Sequence, residues 1–139
     1  MKKPALLFAL KCSVIIYFAA CTNIQDFGVS NSVTKLVTKG NWKVNCYSNS
    51  NADNTCNFKD YTFTFDASGK VFAVKDGISY TGNWLEDNIS KKITINFNKS
   101  NAILDELNDY WDITAISDAG ISFEKITDLD TEKFYITAL

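Results

Sequence analysis

Histidine and arginine are both absent from this 139-residue chain, and proline occurs only once. Without histidine there is no imidazole base, so no serine or cysteine triad can be assembled. Zinc sites built on histidine and cysteine are excluded for the same reason. We therefore expect a protein that is not an enzyme, with no catalytic residue, no metal ligand set and no cofactor.

Lysine is the only source of positive charge. The chain has fourteen lysines and sixteen acidic residues, and three of the lysines lie in the first twenty residues. Residues 21–139 therefore carry eleven lysines and a net charge of −5. Phosphate binding needs a basic surface, so nucleic acid is not an expected partner.

The first twenty residues have the three parts of a signal peptide. Lys2 and Lys3 open the chain, an apolar run covers residues 5–18, and Ala19-Ala20 supplies the small residues before a cleavage site. The run is shorter than the roughly 20 apolar residues that a permanent transmembrane helix needs. Residues 1–20 are therefore predicted to be a leader that directs export.

Phe18-Ala19-Ala20-Cys21 resembles a lipobox, in which the cysteine thiol receives diacylglycerol before the leader is removed. The alternative is an ordinary leader cut elsewhere, with Cys21 unmodified. Each buried methylene of an acyl chain contributes about 0.8 kcal/mol, so two or three chains would anchor the protein permanently. We predict a lipoprotein of the cell envelope, held through Cys21 on the outer membrane and facing either the periplasm or the outside.

Two further cysteines lie in the exported part of the chain. Cys46 and Cys56 are the remaining candidates for a disulfide once Cys12 leaves with the leader and Cys21 is lipidated. The alternative is a pair of separate buried thiols. The sequence therefore predicts a Cys46–Cys56 bridge that closes a short polar loop.

Residues 21–31 are polar and without a clear period, which is typical of a tether. A short helix is predicted next, with Ser32 as its cap and with Val33, Leu36 and Val37 on one face. Gly40 is expected to end that helix. The folded domain is predicted to cover residues 32–139.

From Asn41 onward the apolar residues alternate with polar ones, as in strands with one buried face. Trp42, Val44 and Cys46 begin this pattern, and turn sequences at 66–69, 76–77 and 118–120 divide the later segments. Only residues 47–57 and 99–109 form longer connections, the second with a helical turn. Because these connections are too short for parallel crossovers, we predict an all-β fold of eight antiparallel strands in an up-and-down barrel. An open sheet or flattened sandwich is the alternative.

Aromatic side chains dominate the face that the alternation turns inward. They are Trp42, Tyr61, Phe63, Phe65, Tyr80, Trp84, Phe97, Trp111, Phe123 and Phe134. An eight-stranded barrel is just wide enough to be filled by side chains or to hold one small ligand. A small pocket at the open end is predicted to be lined by Tyr61, Tyr80, Trp84 and Trp111, whose polar edges could orient a ligand. The alternative is that all four pack the core.

Acidic residues cluster in two places. Asp128, Asp130 and Glu132 alternate in a turn that could offer oxygen ligands to calcium, but a solvated hairpin turn explains them better. Asp105 and Asp112 could form a glycosidase-like acid pair, although nothing in the sequence shows one buried and one exposed.

Gly40-Asn41-Trp42, which follows a short helix and opens the first strand, resembles the start of a lipocalin. In that family the tryptophan, here Trp42, closes the bottom of the barrel, and an arginine from a late strand stacks over it. This chain has no arginine, so Lys125 or Lys133 would take the position of that arginine. A second Gly82-Asn83-Trp84 and the segment 107–112 are similar to lipocalin-like lipoproteins of Bacteroidetes. We interpret each glycine as giving a tryptophan indole room.

Two functions follow from these predictions. The resemblance, which covers residues 32–139, implies a membrane-anchored module that binds a small apolar or amphipathic molecule. Alternatively, a filled barrel is a scaffold whose loops bind a protein or polymer of the envelope, as small lipoprotein barrels that inhibit hydrolases do. The polar loop at residues 48–55 is the expected contact in that case.

Overall fold

The structure is a computed structural model, and it describes residues 32–98 and 101–139. The predicted signal peptide, the predicted lipidation site Cys21 and the predicted tether therefore lie outside the described residues. The elements are, in chain order, helix α1 (Val33–Val37), strands β1 (Asn41–Asn49) and β2 (Ala52–Asp53), 3-10 helix η1 (Thr55–Phe58), strands β3 (Thr62–Phe65), β4 (Lys70–Lys75), β5 (Ile78–Asp87) and β6 (Lys92–Asn96), 3-10 helix η2 (Leu104–Leu107), and strands β7 (Asp109–Ser117), β8 (Gly120–Ile126) and β9 (Thr131–Ala138).

Antiparallel pairing joins each strand from β3 to β9 to the next along the chain, and β1 pairs with β2, β3 and β9. That last pairing, with Trp42 opposite Ala138 and Asn49 opposite Glu132, closes the sheet into a barrel. The closed eight-stranded antiparallel barrel predicted from the alternation is confirmed. Strand β2 is additional, because it only folds back on the end of β1 as a short hairpin.

The two ends of the barrel differ, and we name them by what covers them. The helix end carries α1 and the turns that join β3 to β4, β5 to β6 and β7 to β8. The loop end carries η1, η2, the β1–β2 hairpin and the turns that join β4 to β5 and β8 to β9. Val33 and Val37 seal the helix end from α1, and Leu104 and Leu107 belong to the same buried core from η2.

The N-terminus of α1 is capped differently from the prediction. Ser32 makes no side-chain cap to the helix. Instead, the Glu86 carboxylate on β5 accepts hydrogen bonds from the backbone N–H groups of Val33 and Thr34, both at 2.8 Å, and from the Ser32 hydroxyl. A carboxylate from a distant strand thus satisfies the unpaired donors of the first turn. The helix ends at Val37, so Gly40 lies beyond it.

A β-bulge interrupts the predicted alternation in β1. The pairing shifts between Val44 and Cys46, so that Cys46 lies opposite Tyr135 and Tyr47 lies opposite Phe134. Because paired residues of antiparallel strands point to the same face, the bulge turns Cys46 outward with Tyr135 and brings Tyr47 into the core. The expectation that Cys46 continues the inward face of Trp42 and Val44 is therefore wrong.

The two Gly-Asn-Trp glycines do not act as predicted. A Cβ on Gly40 would meet nothing within 4 Å, so no indole needs that space. A Cβ on Gly82 would lie 2.5 Å from the Asn96 carbonyl oxygen and 2.9 Å from the Phe97 ring. Gly82 is therefore required by the close packing of β5 on β6. The space beside it is occupied by the Phe97 ring and not by a tryptophan indole, as we had expected.

Candidate functional site

The four residues predicted to line a ligand pocket lie in the aromatic core. Tyr61, Trp84 and Trp111 are buried, and Tyr80 is half-buried and packs against the same core. Tyr61 lies between Tyr80, whose ring centroid is 6.3 Å away, and the ammonium group of Lys75 at 5.2 Å. The structure therefore places all four on the predicted inward face.

The polar edges of the tryptophans are used within the protein. The Trp84 indole N–H donates to the Asp66 carbonyl oxygen at 3.0 Å, and the Trp111 indole N–H donates to the Leu107 carbonyl oxygen at 2.9 Å. Both acceptors are backbone groups of the turns that cover the barrel. These donors hold the turns in place and are not directed at a ligand.

Trp42 lies at the helix end, where the resemblance placed a closing tryptophan. It is buried, and its indole N–H donates to the Val37 carbonyl oxygen of α1 at 2.8 Å. Lys125 does not take the arginine position expected over this ring, because its ammonium group lies 5.2 Å from the Trp111 ring centroid instead. Gly40 of the same motif is exposed.

Ring contacts fill the interior between these tryptophans. Phe134 contacts Trp111 edge-on at 4.6 Å and stacks on Phe123 at 4.4 Å between ring centroids. Phe65 meets Trp84 edge-on at 5.5 Å. Such pairs stabilise the core beyond the burial of their area. The arrangement is that of a packed core.

The predicted disulfide between Cys46 and Cys56 is not formed. Cys56 is free and exposed on η1, where its thiol lies 3.9 Å from the Asn57 side-chain oxygen. The bulge places Cys46 on the outer face of β1, where it is buried. Cys46 is not free, and its partner is a group other than Cys56. The loop between them is held by hydrogen bonds instead, including one from the Tyr47 N–H to the Thr55 hydroxyl at 2.8 Å.

A charged cluster that the sequence did not predict lies at the loop end. The Lys125 ammonium group contacts Asp109 at 2.9 Å and Glu132 at 2.8 Å. Burial opposes the charge on Lys125, but the hydrogen bonds to both carboxylates hold its pKa above the usual value. Burial raises the pKa of Asp109, yet the hydrogen bond from Lys125 outweighs burial and holds that pKa below its usual value. The three groups stabilise one another in their charged forms.

Two more titratable groups border this cluster. Burial, followed by the charge of Glu132, raises the pKa of Glu106, and one carboxylate oxygen of Glu106 has no hydrogen-bond partner among the described residues. The Tyr47 hydroxyl donates to Glu132 at 3.3 Å, and burial raises its pKa strongly. The excess of negative charge here favours positively charged partners over anions.

The other acidic candidates are separate from one another. Asp128 and Asp130 are exposed in the β8–β9 turn, whereas Glu132 belongs to the Lys125 cluster. Asp112 pairs with Lys92 at 2.7 Å on the surface, and Asp105 accepts a hydrogen bond from Asn108. Within residues 32–98 and 101–139, no group of three acidic or cysteine side chains is arranged to hold a metal ion.

Large apolar side chains are exposed mainly on turns and outer strand faces. They are Val74, Ile78, Leu85, Ile89, Tyr110, Ile126, Leu129 and Leu139. Ile89 is 97% exposed at the helix end, and Leu129 is 92% exposed at the loop end. Of the helices that the structure describes, none is long and apolar enough to cross a membrane.

The fold has a counterpart among solved structures. A DUF4847 family protein from Bacteroides vulgatus superimposes with a TM-score of 0.54 at 15% sequence identity, covering 74% of this chain and 96% of that one. At this identity the likeness concerns the fold alone. No family profile and no curated protein matches the chain.

Sequence reasoning missed the residues that the structure makes prominent. Glu86 had no sequence signal, because its partners lie more than fifty positions away in the chain. Tyr47, whose ring meets that of Phe58 edge-on at 5.0 Å, was assigned to a polar loop. Its aromatic character beside a cysteine was the available signal. Lys125 and Glu132 could have been paired by counting register back from a correct hairpin turn.

Proposed function

We propose that this chain is a lipid-anchored, lipocalin-like module of the bacterial cell envelope that binds a protein partner with the loop end of a filled barrel. One observation carries the proposal: the inward rings pack on one another, and the indole N–H groups of Trp42, Trp84 and Trp111 are all bonded to backbone carbonyls. The polar groups inside the barrel are bonded to the segments that cover it. A partner would therefore be recognised by the outer surface.

The binding surface is a continuous strip at the loop end. The Ser50 N–H of the β1–β2 hairpin donates to the Thr131 carbonyl oxygen at 3.2 Å, which joins that hairpin to the β8–β9 turn. Ile126 and Leu129 are exposed in the second turn. The hairpin contains most of the polar loop, residues 48–55, that the sequence predicted as a contact. We call residues 48–55 and 126–131 together the recognition strip.

The chemistry of the strip defines the partner. Leu129 lies between Asp128 and Asp130, so an apolar side chain projects from an acidic turn. A complementary protein would offer an apolar pocket with a lysine or arginine rim. Interfaces are dominated by a few central side chains within a polar rim, and charge complementarity mainly raises the rate of association.

Affinity capture from solubilised envelopes tests the proposal. The wild-type chain should retain a defined partner, and Leu129→Asp should reduce capture about tenfold or more if Leu129 is a central contact. Ile89→Asp is the matched control, because Ile89 is equally exposed in a turn at the opposite end. Replacement of residues 48–55 by a glycine-serine segment should also reduce capture.

Two results would contradict the proposal. Equal capture by wild type and by both strip variants would show that the recognition strip does not bind the partner. Saturable binding of an apolar fluorescent probe, with quenching of tryptophan emission, would instead favour the small-ligand function that the lipocalin resemblance implies.

A further inference from the structure

We infer that the helix end of the barrel lies on the bilayer and binds its anionic headgroups, which leaves the loop end facing away from the membrane. This inference rests on the proposed lipid anchor at Cys21, and it adds a second, electrostatic contact to that anchor. The occupant of the surface is a lipid bilayer that contains anionic phospholipid.

The tether to the proposed anchor begins at the helix end. Ten residues, 22–31, separate Cys21 from Ser32, and an extended chain spans at most about 3.6 Å per residue. Ser32 lies at the helix end, where its hydroxyl donates to Glu86 at 2.8 Å. The acyl chains can therefore be no further than about 40 Å from this end of the barrel, and the charges at the two ends decide which of them faces the bilayer.

Charge is distributed unequally between the two ends. Among the described residues, the helix end has six lysines and five acidic residues: Lys35, Lys39, Lys43, Lys70, Lys91 and Lys92, against Asp66, Glu86, Asp87, Asp118 and Asp112, which pairs with Lys92. The loop end has nine acidic residues and three lysines: Asp53, Asp60, Asp76, Asp105, Glu106, Asp109, Asp128, Asp130 and Glu132, against Lys59, Lys75 and Lys125. An anionic surface therefore attracts the first end and repels the second.

The lysines beside α1 are available to a headgroup. Lys35 and Lys39 are exposed, and neither forms an ion pair with any residue that the structure describes. They line a surface cleft of about 60 Å³ between α1 and the β7–β8 turn, with Ser32, Leu36 and Asp118. The Glu86 carboxylate does not pair with them, because it accepts hydrogen bonds from the first turn of α1.

An apolar side chain projects beside these lysines. Ile89 lies in the β5–β6 turn, and Lys91 and Lys92 follow it after Ser90. An exposed apolar residue with a lysine two positions away suits the interfacial zone of a bilayer, where the apolar group enters the headgroup layer and the amine meets phosphates. Leu129 has the same exposure, but the aspartates on either side of it disfavour an anionic membrane.

Lysine footprinting on vesicles tests the orientation. The full-length chain, produced with its own leader and purified from membranes, is inserted into preformed vesicles of phosphatidylcholine alone or mixed with phosphatidylglycerol. A water-soluble acylating reagent then modifies exposed amines, which mass spectrometry quantifies. On the anionic vesicles Lys39 and Lys91 should react at least about fivefold more slowly, since each lysine near such a surface strengthens association by about that factor. Lys59, at the loop end, should react equally on both.

Matched variants separate this contact from a change in fold. Ile89→Asp and Lys39→Glu should each reduce the protection of Lys91 on anionic vesicles. Leu129→Asp and Lys59→Glu, which make the same changes at the loop end, should leave it unaltered. Equal effects of the two pairs would overturn the inference, as would protection on phosphatidylcholine that matches protection on the anionic mixture.

Flotation in high salt distinguishes failure of the orientation from failure of the anchor. A chain that floats with the vesicles while Lys39 and Lys91 remain as reactive as Lys59 retains its anchor and refutes the orientation. A chain that does not float refutes the anchor, and the orientation that depends on it is then refuted as well.

Discussion

Glu86 accepts two hydrogen bonds from Thr34, at 2.8 Å from its backbone N–H and 2.6 Å from its hydroxyl, and so fastens α1 to the end of β5. The helix has only five residues and would not be stable alone. Its position over the barrel therefore depends on this carboxylate and on the burial of Val33 and Val37.

Loss of that carboxylate should destabilise the fold. We expect Glu86→Ala to lower the free energy of unfolding by about 1–2 kcal/mol at pH 7, which is the usual cost of removing a helix N-cap. Urea denaturation followed by tryptophan fluorescence measures it. Partial burial raises the pKa of Glu86, but the hydrogen bonds from Thr34, Ser32 and Val33 outweigh it and hold the pKa below 4.5.

The sign of the pH dependence follows from that lowered pKa. The stability that Glu86 contributes is present above its unfolded pKa and is lost as the pH falls through its folded pKa. The difference between wild type and Glu86→Ala should therefore narrow below about pH 4. A difference that stays constant down to pH 2 would show that the carboxylate charge has no part in the cap.

Burial should decide how much each surface ion pair contributes. Lys125→Met keeps most of the apolar stem but leaves Asp109 and Glu132 without their cation, and we expect a loss of about 1–3 kcal/mol. Lys92→Met removes a pair whose side chains are 43% and 49% exposed, and the loss should be below about 1 kcal/mol. Urea denaturation of both variants measures the contrast, and equal losses would contradict it.

The pKa of Lys125 adds a test at high pH. Hydrogen bonds to Glu132 and Asp109 raise this pKa above 10.5, despite burial that lowers it. The stability contributed by the charged amine is therefore present below pH 10.5 and is lost only as the pH rises through the higher folded value. Lys125→Met should consequently approach wild-type stability in strongly alkaline solution.

Two glycines offer a matched pair for packing. Gly82→Ala forces a methyl group against the Asn96 carbonyl oxygen and the Phe97 ring, and we expect it to cost about 1–3 kcal/mol. Gly40→Ala meets open space and should change stability by less than about 0.5 kcal/mol. Thermal unfolding of the two variants measures this difference. If Gly40→Ala were the more damaging variant, the packing assigned to β5 and β6 would be wrong.

The exposed Cys56 thiol should be reactive in the folded protein. We expect a water-soluble disulfide reagent to modify it without denaturant, and Cys56→Ser to remove that reaction. Because the thiol is exposed and unbridged, Cys56→Ser should alter the free energy of unfolding by less than about 0.5 kcal/mol. A decrease of several kcal/mol in the free energy of unfolding would instead indicate that Cys56 forms the disulfide predicted from the sequence.

Several elements were predictable because their signals are local. The turns that contain Gly69 and Gly77 have positive φ angles of 88° and 77° at those glycines, which is the conformation that tight turns require. The predicted inward rings from Trp42 to Phe134 lie in the core for the same reason, since side chains in a strand alternate with a period of two. The 3-10 helix at Leu104–Leu107 agrees with the helical turn expected there.

Other features could not be predicted because they depend on register between distant segments. The bulge between Val44 and Cys46 turns Cys46 to the outer face of β1 and brings Tyr47 into the core. No composition or spacing indicates such a bulge, because it depends on the register that β1 adopts against β9. The predicted pocket residues lie on the inward face, yet the hydrogen bonds of Trp84 and Trp111 depend on segments that only the closed barrel brings near.

By itself the sequence determined the strand period, the positions of the tight turns, the aromatic character of the interior and the leader pattern that ends at Cys21, because each depends on neighbours within a few residues. The tertiary structure alone decided that Cys56 is free, that Glu86 caps α1, that Lys125 joins Asp109 to Glu132, and that lysines gather at one end and carboxylates at the other. Most of those relationships join segments that lie apart in the chain, such as α1 with β5 and β7 with β8, and no local pattern encodes such contacts.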